Sequence, residues 1–382
     1  MVIAIDIRLL GKKRTGDEMV SRYLTRELVK LESEARLLLL TDETDPERIG
    51  TLEKELGTID RKNVEIISLG KANRYSWNLF VVARFLRLRK VDIFHTQYIL
   101  PFFVPKRTKL FAHIHDISFR VFPDLIGWKD RFFLSLLIPR TMRIADRILV
   151  PSVFTKEEIA NRYRVAKDRI VVIPNAVGDE FLSQATESDI VRVREKYSLP
   201  EKFLLAVGTM QPRKNIAFLV RVFAEVSKRI PDLKLVLVGK RYGYRYDLEI
   251  EHAIEETDTG KSVIFPGYVD AADMPAVYAG AEAFIFPSLY EGFGIPILEA
   301  LSQGTPVAAS DIPPSREISG TGAGFFVPSD IASAVQMSYN VTIDEKLRSE
   351  LSTHGKERIN LFSWEKSARL LRDIFHERNI NY

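Results

Sequence analysis

Short apolar runs rich in β-branched residues recur along the whole chain and alternate with stretches of helical periodicity. Such runs are typical of parallel strands that are buried on both faces. They cover residues 2–7, 37–40, 64–69, 91–95, 110–115, 148–150, 170–173, 203–207, 233–238, 263–265, 283–286 and 307–309. Helical patterns, such as residues 19–31 and 77–88, lie between them. This alternation predicts an α/β protein with doubly wound parallel sheets.

The chain is long enough for two such sheets. Its 382 residues exceed what one ordinary core needs, and a length of this kind suggests about two domains. A polar stretch at residues 179–189 separates two blocks of alternating pattern. We therefore predict a first βα domain over residues 1–178 and a second over residues 179–361. The last segment, after Ser363, has the pattern of a capped amphipathic helix.

Composition limits the chemistry that the chain can carry out. There are no cysteines, which excludes disulfides and thiolate ligands, and the six histidines show no close metal-ligand spacing. We therefore predict neither a bound metal nor another cofactor. No apolar run reaches the ~18 residues of a membrane span, and the first residues do not resemble a signal peptide. The expected location is the cytoplasm, with the inner face of the membrane as an alternative.

Charge is distributed unevenly between the two halves. Residues 1–178 contain 32 Lys and Arg against 22 Asp and Glu, a net +10, whereas residues 179–382 contain 23 against 29, a net −6. A basic first domain suits an anionic partner such as a lipid surface or a phosphorylated acceptor, although a solvated basic face explains it equally well. The helical stretch at residues 77–90 combines aromatic residues with a basic flank, as interfacial helices do, but core packing is the more frequent use of such a pattern.

The most informative motif follows the apolar run at residues 283–286. It consists of Tyr290, Glu291, Gly292, Phe293, Gly294, Ile295 and Pro296, with Glu299 one turn further on. The glycines allow the backbone to approach a ligand closely, and Pro296 suits the first turn of a helix whose free N–H groups can hold a phosphate. A carboxylate at Glu299 could accept hydrogen bonds from a diol such as ribose.

A second motif follows the run at residues 203–207. Gly208 allows a turn, and Arg213, Lys214 and Asn215 come a few residues later. Arg213 offers a planar fork for phosphate oxygens and Lys214 a mobile point charge. Such a pair could stabilise a diphosphate leaving group without a metal ion.

Three further segments carry weaker signals. His115 and Asp116 lie at the end of a predicted strand, where they could bind sugar hydroxyls or transfer a proton, and a locally bonded core histidine is nearly as plausible. Gly16 opens a predicted helix after a basic loop, and a plain turn explains it better. Backbone groups near Gly267 and Tyr268 could contact a nucleobase, or could simply form a turn after a strand.

Together these motifs resemble the retaining glycosyltransferases of the GT-B fold, the group that includes bacterial mannosyltransferases, sucrose synthases and glycogen synthases. In that family a Glu, seven residues and a second Glu mark the donor site, and here they correspond to Glu291 and Glu299. The family's diphosphate-binding triplet corresponds to Arg213, Lys214 and Asn215. The resemblance implies two facing Rossmann-like domains with an interdomain cleft, and a last helix, about residues 362–382, that crosses back to the first domain.

The motifs and the resemblance together give the expected roles of individual residues. Glu291, Arg213, Lys214 and His115 are expected to be catalytic. The expected donor-binding residues are Glu299, Gly292, Phe293, Gly294, Ile295, Asp116, Gly267, Tyr268, Gly208 and Gly16. Many members of the family have a glycine-rich first loop, whereas this chain has Arg14, Thr15 and Gly16; the loop that contains Gly16 therefore departs from the family's pattern.

The interpretation that follows is a retaining, metal-independent transferase that moves a sugar from a nucleotide diphosphate to a glycan, a lipid-linked acceptor or another hydroxyl. GDP-mannose is the preferred donor, because the His-Asp and Glu-Gly-Phe-Gly segments look most like those of bacterial mannosyltransferases. A UDP-sugar carrying glucose or N-acetylglucosamine is the alternative donor. A nucleotide-sugar epimerase, a phosphorylase, and a catalytically silent scaffold on a membrane surface are the rival functions; nucleic-acid binding is not expected, because no such motif is present.

Overall fold

The computed structural model describes residues 1–12, 16–125, 127–239, 241 and 246–377. These residues form two compact units. The first comprises Met1–Ile117, Trp128–Asn175 and Ser363–Tyr382, and the second Ser118–Gly127 and Ala176–Phe362. Each unit is built around one parallel sheet.

The first sheet has seven strands in the order β3-β2-β1-β4-β5-β6-β7. Their bounds are β1 Val2–Asp6, β2 Arg36–Thr41, β3 Val64–Ser68, β4 Ile93–Gln97, β5 Lys109–His113, β6 Arg147–Val150 and β7 Ile170–Val172. All neighbouring pairs are parallel, for example β4 and β5, in which His95 lies opposite Phe111. The central strands are almost fully buried, which explains their nearly continuous apolar sequence.

Helices of the first unit connect these strands. They are α1 Gly16–Leu31, α2 Pro46–Leu56, α3 Arg74–Ser76, α4 Val82–Leu88, α6 Trp128–Ile144, α7 Val153–Tyr163 and α16 Trp364–His376; the short α5, Ser118–Val121, belongs to the second unit. A π-helical turn, Trp77–Val81, leads into α4 where the sequence predicts one regular helix. Its buried residues include Trp77, whose ring is inaccessible to solvent.

The last helix packs on the first. Ser363 caps α16, its hydroxyl accepting from the Lys366 N–H. The Trp364 ring stacks on Tyr23 of α1, and the Ser367 hydroxyl donates to the Pro174 carbonyl oxygen. Phe375 lies edge-on to Phe111 of the sheet. The C-terminal helix is thereby part of the first unit, as the resemblance implies.

The second sheet has six strands in the order β10-β9-β8-β11-β12-β13. Their bounds are β8 Phe203–Val207, β9 Lys234–Val238, β10 Val263–Ile264, β11 Ala283–Phe286, β12 Val307–Ser310 and β13 Gly324–Phe326. The sequence analysis missed β13, because its residues Gly324–Phe326 include no β-branched side chain, in contrast to the equally short β7. Its helices are α8 Glu187–Lys196, α9 Ile216–Ser227, α10 Glu249–Glu256, α11 Met274–Ala279, α12 Ile295–Ser302, α13 Pro313–Ser319, α14 Ile331–Ile343 and α15 Glu345–Ile359.

The core of the second unit lies between its sheet and helices α9, α10, α14 and α15, and it includes the fully buried Phe223 and Leu235. Strands β8 and β11 are direct neighbours in the middle of the sheet. Their carboxyl ends therefore lie side by side, and the two strongest sequence motifs follow them. Such a position, beyond the ends of central parallel strands, is where open α/β sheets bind ligands.

Candidate active site

The loop from β11 to α12 carries Glu291, and Glu299 lies within α12. Gly294 has φ +119°, a left-handed conformation that favours glycine, and its carbonyl accepts the Ile297 N–H at 3.0 Å. Tyr290, Glu291 and Phe293 are all buried, and the Phe293 ring lies edge-on to Phe362 at 5.7 Å. The backbone of this loop is therefore held by packing on both sides.

The loop from β8 to α9 begins at a close approach of two glycines. Gly208 (φ +149°) ends β8, and its N–H donates to the Val238 carbonyl of β9 at 3.0 Å. Gly239 follows β9 with φ +148°, and a Cβ atom on it would lie only 2.0 Å from the Gly208 carbonyl oxygen. Any larger residue at position 239 would displace the start of the cation-bearing loop.

Arg213 and Lys214 follow in a 3-10 turn, Pro212–Lys214. Asn215 ends the turn in the left-handed region (φ 57°), which asparagine tolerates better than most residues. Its side-chain amide donates to the Pro328 carbonyl oxygen at 3.1 Å. This bond ties the turn to the loop that follows β13.

Both cations bind Glu291. Arg213 Nη1 donates to Glu291 Oε2 at 3.1 Å, and Lys214 Nζ donates to Glu291 Oε1. The two loops are also joined through their backbones, since the Leu289 N–H donates to the Arg213 carbonyl at 2.8 Å. The structure therefore brings three of the four predicted catalytic residues into one partly buried cluster.

The electrostatics of this cluster favour the ionised acid. Burial raises the pKa of Glu291, but the charges of Lys214 and Arg213, with hydrogen bonds from Lys214 and Ser288, outweigh burial and lower the pKa to about 2. Glu291 is therefore ionised at neutral pH. One carboxylate and two cations leave the cluster with a net charge of +1, which suits an anionic ligand.

Glu299 lies apart from this cluster and faces another helix. Its Oε2 accepts the Tyr278 phenolic hydroxyl at 2.7 Å. Burial raises the pKa of Glu299 to about 7; the Tyr278 hydrogen bond lowers it, and the nearby negative charge of Glu180 raises it. The pKa values of the two acids of the motif are thus shifted in opposite directions. Glu291 is a fixed anion, whereas Glu299 titrates near neutrality.

The other predicted residues of the second unit lie at or near the ends of strands. Gly292 and Ile295 are buried in the β11–α12 loop. Gly267 has φ +82° and follows β10, which ends at Ile264, and the Tyr268 side chain is 83% exposed. An exposed aromatic ring beyond a strand end is available to a ligand.

His115 and Asp116 belong to the first unit. The sequence analysis predicted a strand over residues 110–115. Strand β5 instead ends at His113, so His115 lies just beyond it. Its Nε2 lies 2.9 Å from Gln97 Oε1, and its ring stacks on that of His113 at 4.7 Å. Gln97, at the end of β4, was not predicted, because its proximity to His115 depends on the pairing of β4 with β5.

Gly16 is the first residue of α1, and nothing lies within 4 Å of where its Cβ would be. Its backbone therefore does not require glycine. The basic loop before it, including Arg14 and Thr15, lies outside the described residues. Among the residues that the structure describes, no group of three or more His, Cys, Asp or Glu is arranged to hold a metal ion.

Comparison with known proteins identifies the family of these motifs. The model described as "Glycosyl transferases group 1" matches residues 189–358, and the model described as "Glycosyltransferase Family 4" matches residues 15–181. The O-antigen chain mannosyltransferase B of Escherichia coli is 31% identical over 271 residues, which is 69% of each chain. The chain belongs to the group 1 glycosyltransferases. The two matches together cover both units and include Glu291, Glu299, Arg213 and Lys214.

Other relatives of this glycosyltransferase differ from it in length. A serotype-specific mannosyltransferase of Escherichia coli is 32% identical over 59% of this chain, but the match spans only 28% of that protein. Among solved structures, Anabaena Alr3699/HepE in complex with UDP and glucose has a TM-score of 0.74, is 17% identical, and is matched over 98% of this chain and 99% of its own. A sucrose-phosphate synthase from Thermosynechococcus elongatus has a TM-score of 0.73 at 20% identity, over 99% and 98%. These structures establish the fold with two Rossmann-like domains, GT-B.

Proposed function

We propose that this glycosyltransferase binds a nucleotide diphosphate sugar at the ends of β8 and β11 and transfers its sugar to a hydroxyl acceptor without a metal ion. The observation that supports this proposal is the convergence of Arg213 and Lys214 on Glu291 at the start of α12. Two cations and the N-terminal N–H groups of a helix form an environment suited to a diphosphate. The net charge of +1 at the cluster attracts the negatively charged diphosphate.

In the reaction, the bond between the anomeric carbon and the diphosphate oxygen breaks, and a bond forms from that carbon to the acceptor oxygen. The acceptor proton passes to the departing diphosphate, and attack from the same face retains the anomeric configuration. Lys214 and Arg213 stabilise the charge that develops on the leaving oxygen. Glu291 holds both cations in place, and with Phe293 and Gly294 of the loop it positions the sugar.

The preferred donor is GDP-mannose. This preference is supported by the two Escherichia coli relatives described above, both of which are named as mannosyltransferases. A UDP-sugar is the alternative, supported by the Anabaena structure with UDP and glucose. The proposed acceptor is a glycan or a lipid-linked sugar. Glu299 contacts the ribose of the donor; Gly267 and Tyr268 are proposed to lie near its base, and His115 and Asp116 near the sugar.

Donor binding can be tested by ligand-induced thermal stabilisation. A ligand that binds only the native protein raises the melting temperature. We expect a selective shift with GDP-mannose over UDP-glucose, UDP-N-acetylglucosamine and ADP-glucose, each measured with a chelator, and loss of that shift in Lys214→Ala. Lys346→Ala, an exposed lysine on α15, is the matched control and should keep the full shift. If none of the four compounds stabilises the wild type, the silent scaffold becomes the better explanation.

We further propose peripheral contact of the first unit with an anionic lipid surface. Phe80 (65% exposed) and Leu88 (72%) lie on the helical stretch that ends with α4, and Phe132 (62%) and Leu136 (61%) lie on α6. We call these four residues the apolar surface. Residues 66–115 contain nine Lys and Arg but only one acid, Asp92. Exposed apolar side chains among basic residues are typical of interfacial membrane binding. The described residues include no helix that is both long and apolar enough to cross a membrane.

A further inference from the structure

The side chain that holds Glu299 lies on the neighbouring helix α11. Tyr278 is completely buried, and its ring is packed edge-on against Phe181 at 5.7 Å and against Phe284 at 5.3 Å. Its carbonyl oxygen accepts the Thr305 hydroxyl at 2.8 Å. Because the ring and the backbone are both held, the phenolic oxygen is fixed in position, 2.7 Å from Glu299 Oε2, to which it donates.

The second oxygen of Glu299 has a different environment. No hydrogen bond from a described residue reaches Glu299 Oε1, and the side chain is partly exposed, unlike Leu298 and Ala300 beside it on α12. A carboxylate with one oxygen held and the other accessible is preorganised to accept hydrogen bonds from a ligand. Preorganisation of this kind increases affinity, because the side chain loses little freedom on binding.

Among the described groups, the charge that acts on Glu299 is that of Glu180, in the 3-10 turn Asp179–Phe181. The Glu180 carboxylate lies over Gly178, where a Cβ atom would be 2.5 Å from it. In the described part of the chain, no cation forms an ion pair with Glu299.

We propose that Tyr278 is a positioning residue for donor binding, which fixes the Glu299 carboxylate so that Oε1 accepts the hydroxyls of the donor's ribose. The proposal rests on the function proposed above. The hydroxyl of Tyr278 also favours the ionised form of Glu299, because donation to a carboxylate stabilises its charge. Tyr278 itself does not contact the donor.

The first test is a separation of KM from kcat. Tyr278→Phe removes one hydroxyl and keeps the buried ring. Because a hydrogen bond to a charged group is lost, we expect the KM for the donor to rise roughly tenfold or more, with kcat within about twofold. Tyr197→Phe is the matched control, since Tyr197 donates to the Asp273 carboxylate at 2.9 Å elsewhere in the same unit. It should leave both parameters unchanged.

The pH profile distinguishes a positioning role from a general loss of stability. Donor affinity of the wild type should fall as Glu299 takes up a proton below a pH of about 7. Without the Tyr278 hydroxyl the pKa of Glu299 rises, so the fall should begin at higher pH in Tyr278→Phe. Glu180→Gln removes a negative neighbour and should move the fall to lower pH. General loss of stability does not predict opposite displacements from these two variants.

The outcomes separate this proposal from the proposed function. If Tyr278→Phe has the KM and pH profile of the wild type while Glu299→Gln loses donor affinity, the role of Tyr278 is wrong and the donor site stands. If Glu299→Gln also binds the donor normally, Glu299 is not a donor residue and both statements are overturned. The proposal is supported if Tyr278→Phe raises the KM for the donor and if the pH profiles of Tyr278→Phe and Glu180→Gln are displaced in opposite directions.

Discussion

At the residue scale, the two acids of the motif in the second unit, Glu291 and Glu299, lie in different environments. Glu291 lies between two cations and stays ionised, whereas Glu299 lies against a phenol and titrates near neutrality. The spacing of the motif predicts that the acids have separate tasks, and the fold shows how they are separated. Tyr278 could not be predicted, because its contact with Glu299 joins residues 21 positions apart on different helices.

The row of histidines in the first unit gives a second prediction at this scale. Burial, with a smaller effect from His115, lowers the pKa of His95 to about 4; burial also lowers the pKa of His113. Both are neutral in the native protein and protonate in the unfolded chain near pH 6.5. The free energy of unfolding therefore decreases as the pH falls below that value. His95 alone should remove roughly 3 kcal/mol between pH 6.5 and 4.

Denaturant titrations between pH 7 and 5 measure this effect. The free energy of unfolding should fall with decreasing pH, and the slope should be shallower in His95→Gln than in the wild type. An unchanged slope in that variant would show that His95 does not resist protonation. The sequence analysis offered a core histidine as an alternative for His115 alone, and only the pairing of β4 with β5 shows how close His95 and His113 lie.

At the element scale, the contact of Gly208 with Gly239 fixes the end of β8. Gly239→Ala places a methyl group against a backbone oxygen in a conformation that L residues rarely adopt. We expect a loss of about 3 kcal/mol or more in unfolding free energy, together with weaker donor binding. Differential scanning calorimetry and the ligand shift measure the two effects; native stability in this variant would contradict the role of the contact.

Gly50→Ala is the opposite case. Gly50 lies inside α2 with no atom within 4 Å of its missing Cβ and no left-handed backbone. Because alanine is more favourable than glycine in a helix interior, the substitution should stabilise the protein by about 0.5–1 kcal/mol.

The strand-end position of Gly208 could be predicted from the apolar run before it, whereas the clash at Gly239 depends on the pairing of β8 with β9.

At the scale of the whole molecule, the charge difference between the halves has a measurable consequence. Exposed apolar and basic residues of the first unit should bind vesicles that contain an anionic lipid, and binding should weaken as salt screens the charges. Leu136→Glu should reduce vesicle binding at least severalfold without changing transfer to a soluble acceptor. Ile59→Glu, an exposed apolar residue outside the apolar surface, is the control.

Sedimentation with anionic and neutral vesicles decides this prediction. Equal binding to both, or to neither, would contradict the proposed lipid contact.

Alternating strands and helices predicted the two-sheet architecture, since parallel strands buried on both faces have a distinctive sequence. Composition alone could not show which of the apolar residues at 77–90 are exposed: Phe80 and Leu88 face solvent, whereas Trp77 and Leu86 are buried.

The most direct test of the central claim is sugar transfer in the presence of a chelator. Purified protein with GDP-mannose and a lipid-linked or glycan acceptor should form product at the same rate with and without EDTA. Because Lys214 stabilises the leaving diphosphate, Lys214→Ala should lower kcat about 10²-fold, or ~3 kcal/mol, while remaining folded. Strict dependence on added manganese, or normal turnover in Lys214→Ala, would contradict a metal-free reaction that relies on the cations bound to Glu291.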